Sequence, residues 1–175
     1  MKSIKLKELD GVSGARRGRT IMREELLKSG DLLHLTPRHI HRNDNKLFLS
    51  DKDKYVSNKF IQKNQYFEKF ILNPSDVIIT AKGASVGKIY TYKKFDPPAV
   101  VGDLLILIKA NQNKYLVRYL EIKEFRDKFE LDFQEKLSNK SGVFPYMTIS
   151  NFLEIEVLLF PNDELAKLES FMKKI

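Results

Sequence analysis

The hydrophobic period of this chain changes once, at Asn113, and that change narrows the folds open to it. Before it, short apolar runs alternate with turn residues, the pattern of β-strands. After it, Leu116, Tyr119 and Leu120 stand at helical spacing, and Phe125, Phe129 and Phe133 recur every fourth residue among charged neighbours. That stripe belongs to one or two amphipathic helices lying on a sheet, with the phenylalanines in the core.

Within the first part, Ile4-Lys5-Leu6-Lys7 alternates strictly and reads as a half-buried strand. Asp31 to Thr36 is a second strand, entered through Gly30 and stopped by Pro37. Lys46 to Leu49 and Lys54 to Ser57 read as a short strand pair across the polar turn from Ser50 to Asp53. The clearest strand is Val77 to Thr80, set off by Asn73-Pro74-Ser75-Asp76. Lys88 to Tyr92, Val100-Val101 and Leu104 to Ile108 complete the β-rich part. Beyond the helices, Ser138 to Gly142 is a loop and Glu154 to Phe160 a last strand ended by Pro161. Asn162 or Asp163 caps a final helix carrying Leu165, Leu168, Phe171 and Met172, whose apolar stripe has barely begun at Ile175. The expected class is therefore α+β: a twisted, partly barrel-like β-rich sheet with packed amphipathic helices and a truncated C-terminal helix.

A chain of 175 residues fits one domain, and at that size folding buries roughly 70% of the unfolded surface. There is no Cys, which excludes disulfides, thiolate catalysis and cysteine-based zinc, and fits a reducing cytoplasm. Met1-Lys2-Ser3-Ile4-Lys5 does not open a signal peptide, and the longest apolar run, Leu104 to Ile108, is too short to cross a bilayer. Charge is informative once placed. Residues 1–100 hold 20 Lys/Arg against 11 Asp/Glu, a net of +9, whereas residues 101–175 hold 11 against 12, a net of −1. All the basic excess lies in the first part, and the simplest reading is a polyanion-seeking surface there beside a neutral, structural remainder. A solvated basic face kept for solubility is the alternative.

Several strings imitate catalytic motifs. Gly83 to Lys88 looks like a phosphate loop, but three residues separate its glycines where four are needed, and Ile89 stands at the magnesium-binding hydroxyl position. Asp96-Pro97-Pro98-Ala99 looks like the base-holding signature of amino-group DNA methyltransferases, yet Ala99 supplies no ring. A nuclease triad could be drawn from Asp103, Glu121 and Lys123, but the last two lie in a helical stretch where adjoining strands are required. His34, His39 and His41 could hold zinc only with a further ligand such as Asp31 or Asp44, and Arg38 and Arg42 crowd the same stretch. No cofactor and no metal is expected.

Three segments together resemble one target recognition domain of the specificity subunit of type I restriction-modification enzymes. They are Ile71 to Ile89 with its Asp76, apolar strand and Gly83…Gly87-Lys88 hairpin, then Tyr115 to Leu120, and then Ser141-Gly142 through Thr148-Ile149-Ser150 to Leu158-Leu159-Phe160-Pro161. The resemblance runs from about Leu6 to the C-terminus. It implies a non-catalytic, cytoplasmic component that reads double-stranded DNA and directs methyltransferase (modification) and restriction subunits. It also divides the chain into a recognition domain, 1–161, and the start of a coiled-coil spacer helix, 162–175, through which the chain could pair with itself. A whole specificity subunit has two such domains and two spacers, so this chain corresponds to a cut piece, a gene fragment or a pairing half-subunit.

The DNA-contact residues expected on this reading fall in three loops. The first holds Arg16, Arg17 and Arg19, and the second Arg38, His39, His41, Arg42 and Asn43. The third holds Lys140, Ser141, Phe144 and Tyr146. Lys82, Ser85 and Lys88 in the hairpin are secondary, because that hairpin serves the fold as well. Lysines and arginines neutralise phosphates, and Arg, Asn and Gln read base edges. The competing reading is a protein-interaction or oligomerisation module whose basic face meets an acidic partner.

Overall fold

The computed structural model describes residues 2–9, 11–41, 46–83 and 85–161, together with Glu164, Ala166, Lys167 and Ser170. Its centre is a four-stranded antiparallel sheet, ordered β2 (Arg16–Arg17), β8 (Leu105–Ile108), β5 (Val77–Thr80), β6 (Ile89–Thr91). The register sets Val77 opposite Ile108, Ile78 opposite Leu107 and Ile79 opposite Ile106. Successive side chains of a strand point to opposite faces. Val77, Ile79, Ile106 and Ile108 therefore enter one core, while Ile78, Leu105 and Leu107 enter another. Both faces of the sheet are covered, which is why these strands read as continuous apolar runs instead of alternating ones.

The first core is closed by the helices that the period change predicts. α2 (Lys114–Glu121) buries Leu116, Val117, Tyr119 and Leu120, and α3 (Lys123–Glu135) buries Phe129 and Phe133. The short α4 (Ile149–Phe152), capped by the Thr148 hydroxyl, adds Phe152 between those two rings. Truncating a phenylalanine buried this fully costs about 3–5 kcal/mol. The two-stranded pair β1 (Lys2–Lys5) with β9 (Glu156–Leu159) seals the far side. The Tyr115 hydroxyl fastens β9 there, donating to Leu158 O at 2.7 Å and accepting from Phe160 N–H at 2.9 Å.

The second core lies under a three-stranded sheet, ordered β4 (Tyr55–Val56), β3 (Leu32–Leu35), β7 (Ala99–Val101), in which β3 and β7 run parallel. α1 (Asn58–Lys63) and the 3-10 turns through Phe70 complete it with Ile61, Phe67 and Phe70. No element is expected there from the sequence pattern. Only three residues, 102–104, join β7 to β8, although the two strands belong to different sheets. This corner divides the β structure. The described residues form three sheets with packed helices, the expected α+β class, and no closed barrel.

Two strand expectations need correction. The chain leaves β1 at Lys5 and turns into a 3-10 helix over Leu6–Glu8, because Leu6 and Lys7 donate to Ile155 O and Leu153 O across the terminal pair. Lys46 to Leu49 forms no strand, and β4 pairs with Leu32 and Leu33 of β3 instead. Asp53 is the cause. Its buried carboxylate accepts from Ser50 N–H at 2.9 Å and from Arg38 at 2.7 Å, which folds the 50–53 turn back on the loop after β3. In the C-terminal stretch Glu164, Ala166, Lys167 and Ser170 are helical. The expected cap residues Asn162 and Asp163, and the apolar residues Leu165, Leu168, Phe171 and Met172, lie outside the described residues.

Candidate nucleic-acid interface

The corner at 102–104 is where the separate basic segments meet. Arg16 and Arg17 form β2, opposite Leu107 and Ile106 at the edge of the central sheet. Arg17 Nε donates to Asp103 O at 2.8 Å, the Thr20 hydroxyl donates to the Asp103 carboxylate at 3.0 Å, and Arg16 Nε donates to Gly14 O at 3.2 Å. These contacts use one nitrogen of each guanidinium. Arg16, Arg17 and Arg19 line an open cleft of about 510 Å³ with Lys69 and Phe70. Arg19 stands 5.8 Å and Lys69 5.4 Å from the centre of the Tyr66 ring, so two cations meet one half-exposed aromatic ring. Tyr66 and Lys69 are not among the residues expected from sequence. The spacing of Tyr66, Phe67 and Phe70 was the available signal, but a 3-10 turn does not give the 3.6-residue period that marks a helix.

On the other side of the corner, Leu104 joins Thr36, Pro37 and Arg38 with Lys82, Ser85 and Lys88 around a second open cleft of about 490 Å³. The β5–β6 hairpin carries the last three. Its turn is built by Thr80, whose hydroxyl donates to Ser85 O and accepts from Lys88 N–H at 2.8 Å. Gly83 and Gly87 have φ of +100° and +91°, a region open to glycine and costly for other residues. At Gly87 a Cβ would also stand 2.5 Å from Gln134 Nε2 and 3.2 Å from Phe133 Cδ1. Gln134 Nε2 itself donates to Val86 O at 2.9 Å, docking the hairpin onto α3. Ile89 opens β6, so the loop joins two strands and is no phosphate loop before a helix.

The loop after β3 divides its residues between fold and surface. Arg38 is exposed, and its guanidinium meets the buried Asp53 carboxylate at 2.7 Å. His39, expected as a contact, is fully buried. Its Nε2 meets Asp53 at 3.0 Å and its Nδ1 accepts from Thr36 N–H at 3.0 Å, so the ring braces the loop from inside. Burial pushes the His39 ring below its ordinary value, with the Asp53 contact only partly offsetting it. For Asp53 burial acts upward, but the Ser50 N–H, His39 and Arg38 outweigh it and hold the carboxyl low. His41 stacks on Phe48, ring centres 4.5 Å apart. Arg42, Asn43 and Asp44 lie outside the described residues. His34 sits beneath the corner, its Nε2 buried without a hydrogen-bond partner and 2.9 Å from where a Gly102 Cβ would stand. Burial lowers its pKa, against the pull of Asp103.

The third loop leans on the hairpin. Gly83 N–H donates to Pro145 O, and Met147 N–H to Ala81 O at 2.7 Å, bridging Lys82 to Tyr146. Lys140, Ser141 and Phe144 are exposed at its tip, and Tyr146 is half-buried at its base. The hairpin thus supports the second and third loops, meeting Arg38 across the cleft and Pro145 to Met147 by backbone bonds.

Asp103 stands at this corner, whereas Glu121 ends α2 and Lys123 begins α3, so a nuclease triad on adjoining strands does not form. Asp96 accepts from the Tyr90 hydroxyl at 2.7 Å and from Lys93 N–H at 2.8 Å within a turn. Among the described residues no group of three or more His, Asp or Glu side chains could hold a metal ion. Among them, too, no helix is long and apolar enough to cross a membrane.

A two-cored α+β domain that gathers basic loops at a corner between sheets is what the structure defines. The profile of the type I restriction modification DNA specificity domain matches residues 1–172, and the chain belongs to that family. Among solved structures it is similar to the S subunit of a type I restriction-modification system from M. genitalium, at 10% identity and a TM-score of 0.61, over 99% of this chain and 38% of that one. It is likewise similar to the HsdS subunit from Thermoanaerobacter tengcongensis, at 12% identity and a TM-score of 0.57, over 99% of this chain and 36% of that one. A third similar chain comes from a structural study of complex assembly and conformational transition of the type I R-M system, with 12% identity, a TM-score of 0.63, and 99% and 37% covered. At such identities the likeness is one of fold, and this chain spans 36–38% of the length of those chains. No curated protein matches the sequence.

Proposed function

We propose that this domain reads duplex DNA in a sequence-specific manner and directs a restriction-modification complex to its site, without catalysis of its own. The observation that carries the reading is convergence. Arg16, Arg17 and Arg19, then Arg38, then Lys82 and Lys88 come from distant parts of the chain and line two clefts beside one corner. Cations on such a face release counterions from phosphates and supply affinity. Arginine forks and the Ser85 and Ser141 hydroxyls have the donors to meet base edges. His39 acts through the loop it braces, and Tyr146 through the base of the third loop.

Family membership supports methyltransferase and restriction subunits as partners, and a cytoplasmic setting follows from such a role. Residues 1–161 form the recognition unit on this reading. The helical residues from Glu164 onward begin a spacer that docks the methyltransferase and offers a surface for self-pairing.

The test is a fluorescence anisotropy titration of the purified chain with a labelled random duplex pool at low and moderate salt. Binding that weakens steeply with salt, followed by recovery of a preferred sequence from the pool, is the expected result. Salt-insensitive binding, or binding with no sequence preference after selection, would overturn the reading.

A further inference from the structure

Most of the proposed interface is polar, but the third loop ends in an apolar tip that the fold does not use. Val143 is 84% and Phe144 62% exposed, although each lies within a few residues of the buried Met147 and Leu137. One exposed apolar side chain needs no explanation. Here two are consecutive, Pro145 follows them, and the segment is tied by hydrogen bonds at both ends. On one side Gly142 N–H donates to Asn139 O at 3.0 Å, closing a turn. On the other, Ser138 and Tyr146 exchange backbone bonds of 2.8 and 3.2 Å, and the Gly83–Pro145 bond ties the tip to the hairpin. Lys82, exposed and bridged to Tyr146, and the exposed Lys140 set positive charge on both sides of the apolar residues.

We infer that Phe144, backed by Val143, is a wedge that enters a base step of the bound duplex and kinks it there. The inference rests on the DNA-reading function proposed above and adds the mode of contact. An apolar side chain between base pairs exchanges water for stacked ring faces, and the flanking lysines hold the phosphates on either side of the opened step. A loop tied at both ends suits this role, because part of its ordering cost is met before binding. The wedge also reads sequence without hydrogen bonds. Pyrimidine–purine steps unstack most easily, so the bound site carries one of them under Phe144.

The experiment uses the whole chain and a pool of random duplexes about 30 base pairs long, labelled at the two ends with a donor and an acceptor dye. Anisotropy of the same pool measures binding separately. The native chain and Phe144→Leu, which keeps an apolar wedge, raise energy transfer at saturation, as expected for a kink of about 20–90°. Phe144→Ala binds about tenfold more weakly, in line with the loss of one stacked base contact, and at saturation leaves the transfer at its free-duplex value. Selection from the pool then enriches a pyrimidine–purine step with the native chain and not with Phe144→Ala. Unchanged transfer on saturation by the native chain, or an equal rise with Phe144→Ala, would overturn the wedge while leaving DNA binding intact. Failure of the native chain to bind the pool would overturn the functional reading beneath it.

Discussion

Removing the two hairpin lysines together, Lys82→Ala with Lys88→Ala, tests the proposed interface beside the corner. Both side chains line the cleft with Arg38, and neither forms an ion pair among the described residues. If each meets a phosphate, each contributes about 0.9 to the slope of log affinity against log salt, so the double variant loses about 1.8. Between about 50 and about 200 mM salt, its deficit against the native chain then shrinks by a factor of about 12. The matched control is Lys123→Ala with Lys128→Ala, which removes the same charge from α3, where the lysines pair with Asp127 and Asp132. Anisotropy titrations at four or more salt concentrations give both slopes. A hairpin variant that binds with the native slope refutes the phosphate contacts. A control that flattens the slope equally refutes the local argument, since overall charge would then suffice.

The other predictions concern the scaffold beneath that face. In urea denaturation Gly83→Ala costs about 1 kcal/mol from its left-handed backbone alone, whereas Gly87→Ala costs about 3 kcal/mol because its Cβ also displaces Gln134 and Phe133. Equal losses would contradict the docking of the hairpin on α3. Asp76→Ala costs about 3–5 kcal/mol, because the carboxylate accepts from Asn73 and Ala110 N–H groups and pairs with the poorly exposed Lys109. A loss near zero in the same assay would show that Lys109 finds water instead. Burial holds the His34 and His39 rings below their ordinary 6.5. The unfolded chain takes up their protons first, so stability is full above that value and falls as pH drops through and below it. Thermal melts of the native chain and a His34→Gln, His39→Gln double variant check this, and an identical pH slope in both would exclude the histidines as its source.

How far these features could be read without the fold depends on the range of the interaction behind them. Periodicity is local. Val77 to Thr80, Leu105 to Ile108 and the Phe129–Phe133 stripe declare their secondary structure from neighbours alone, and they were legible. The positive-φ glycines of the hairpin declare their turn for the same reason. Pairing partners are another matter. The parallel match of β3 to β7 joins residues more than sixty positions apart, and the Asp53 carboxylate draws 50–53 onto Thr36 to His39 by hydrogen bonds that no spacing announces.

The sequence by itself determined that the chain is α+β, that its basic excess lies before residue 100, and which loops are rich in donors. Only the tertiary structure decided that the arginine strand and the hairpin lysines line two clefts on either side of one corner, that His39 turns inward, and that Lys69 joins the arginine cleft, 5.4 Å from the Tyr66 ring centre. The physical reason is one of distance along the chain. Propensity and hydrophobic pattern act over a few residues, whereas a binding face is assembled by sheet register and by the corner that passes the chain between two cores.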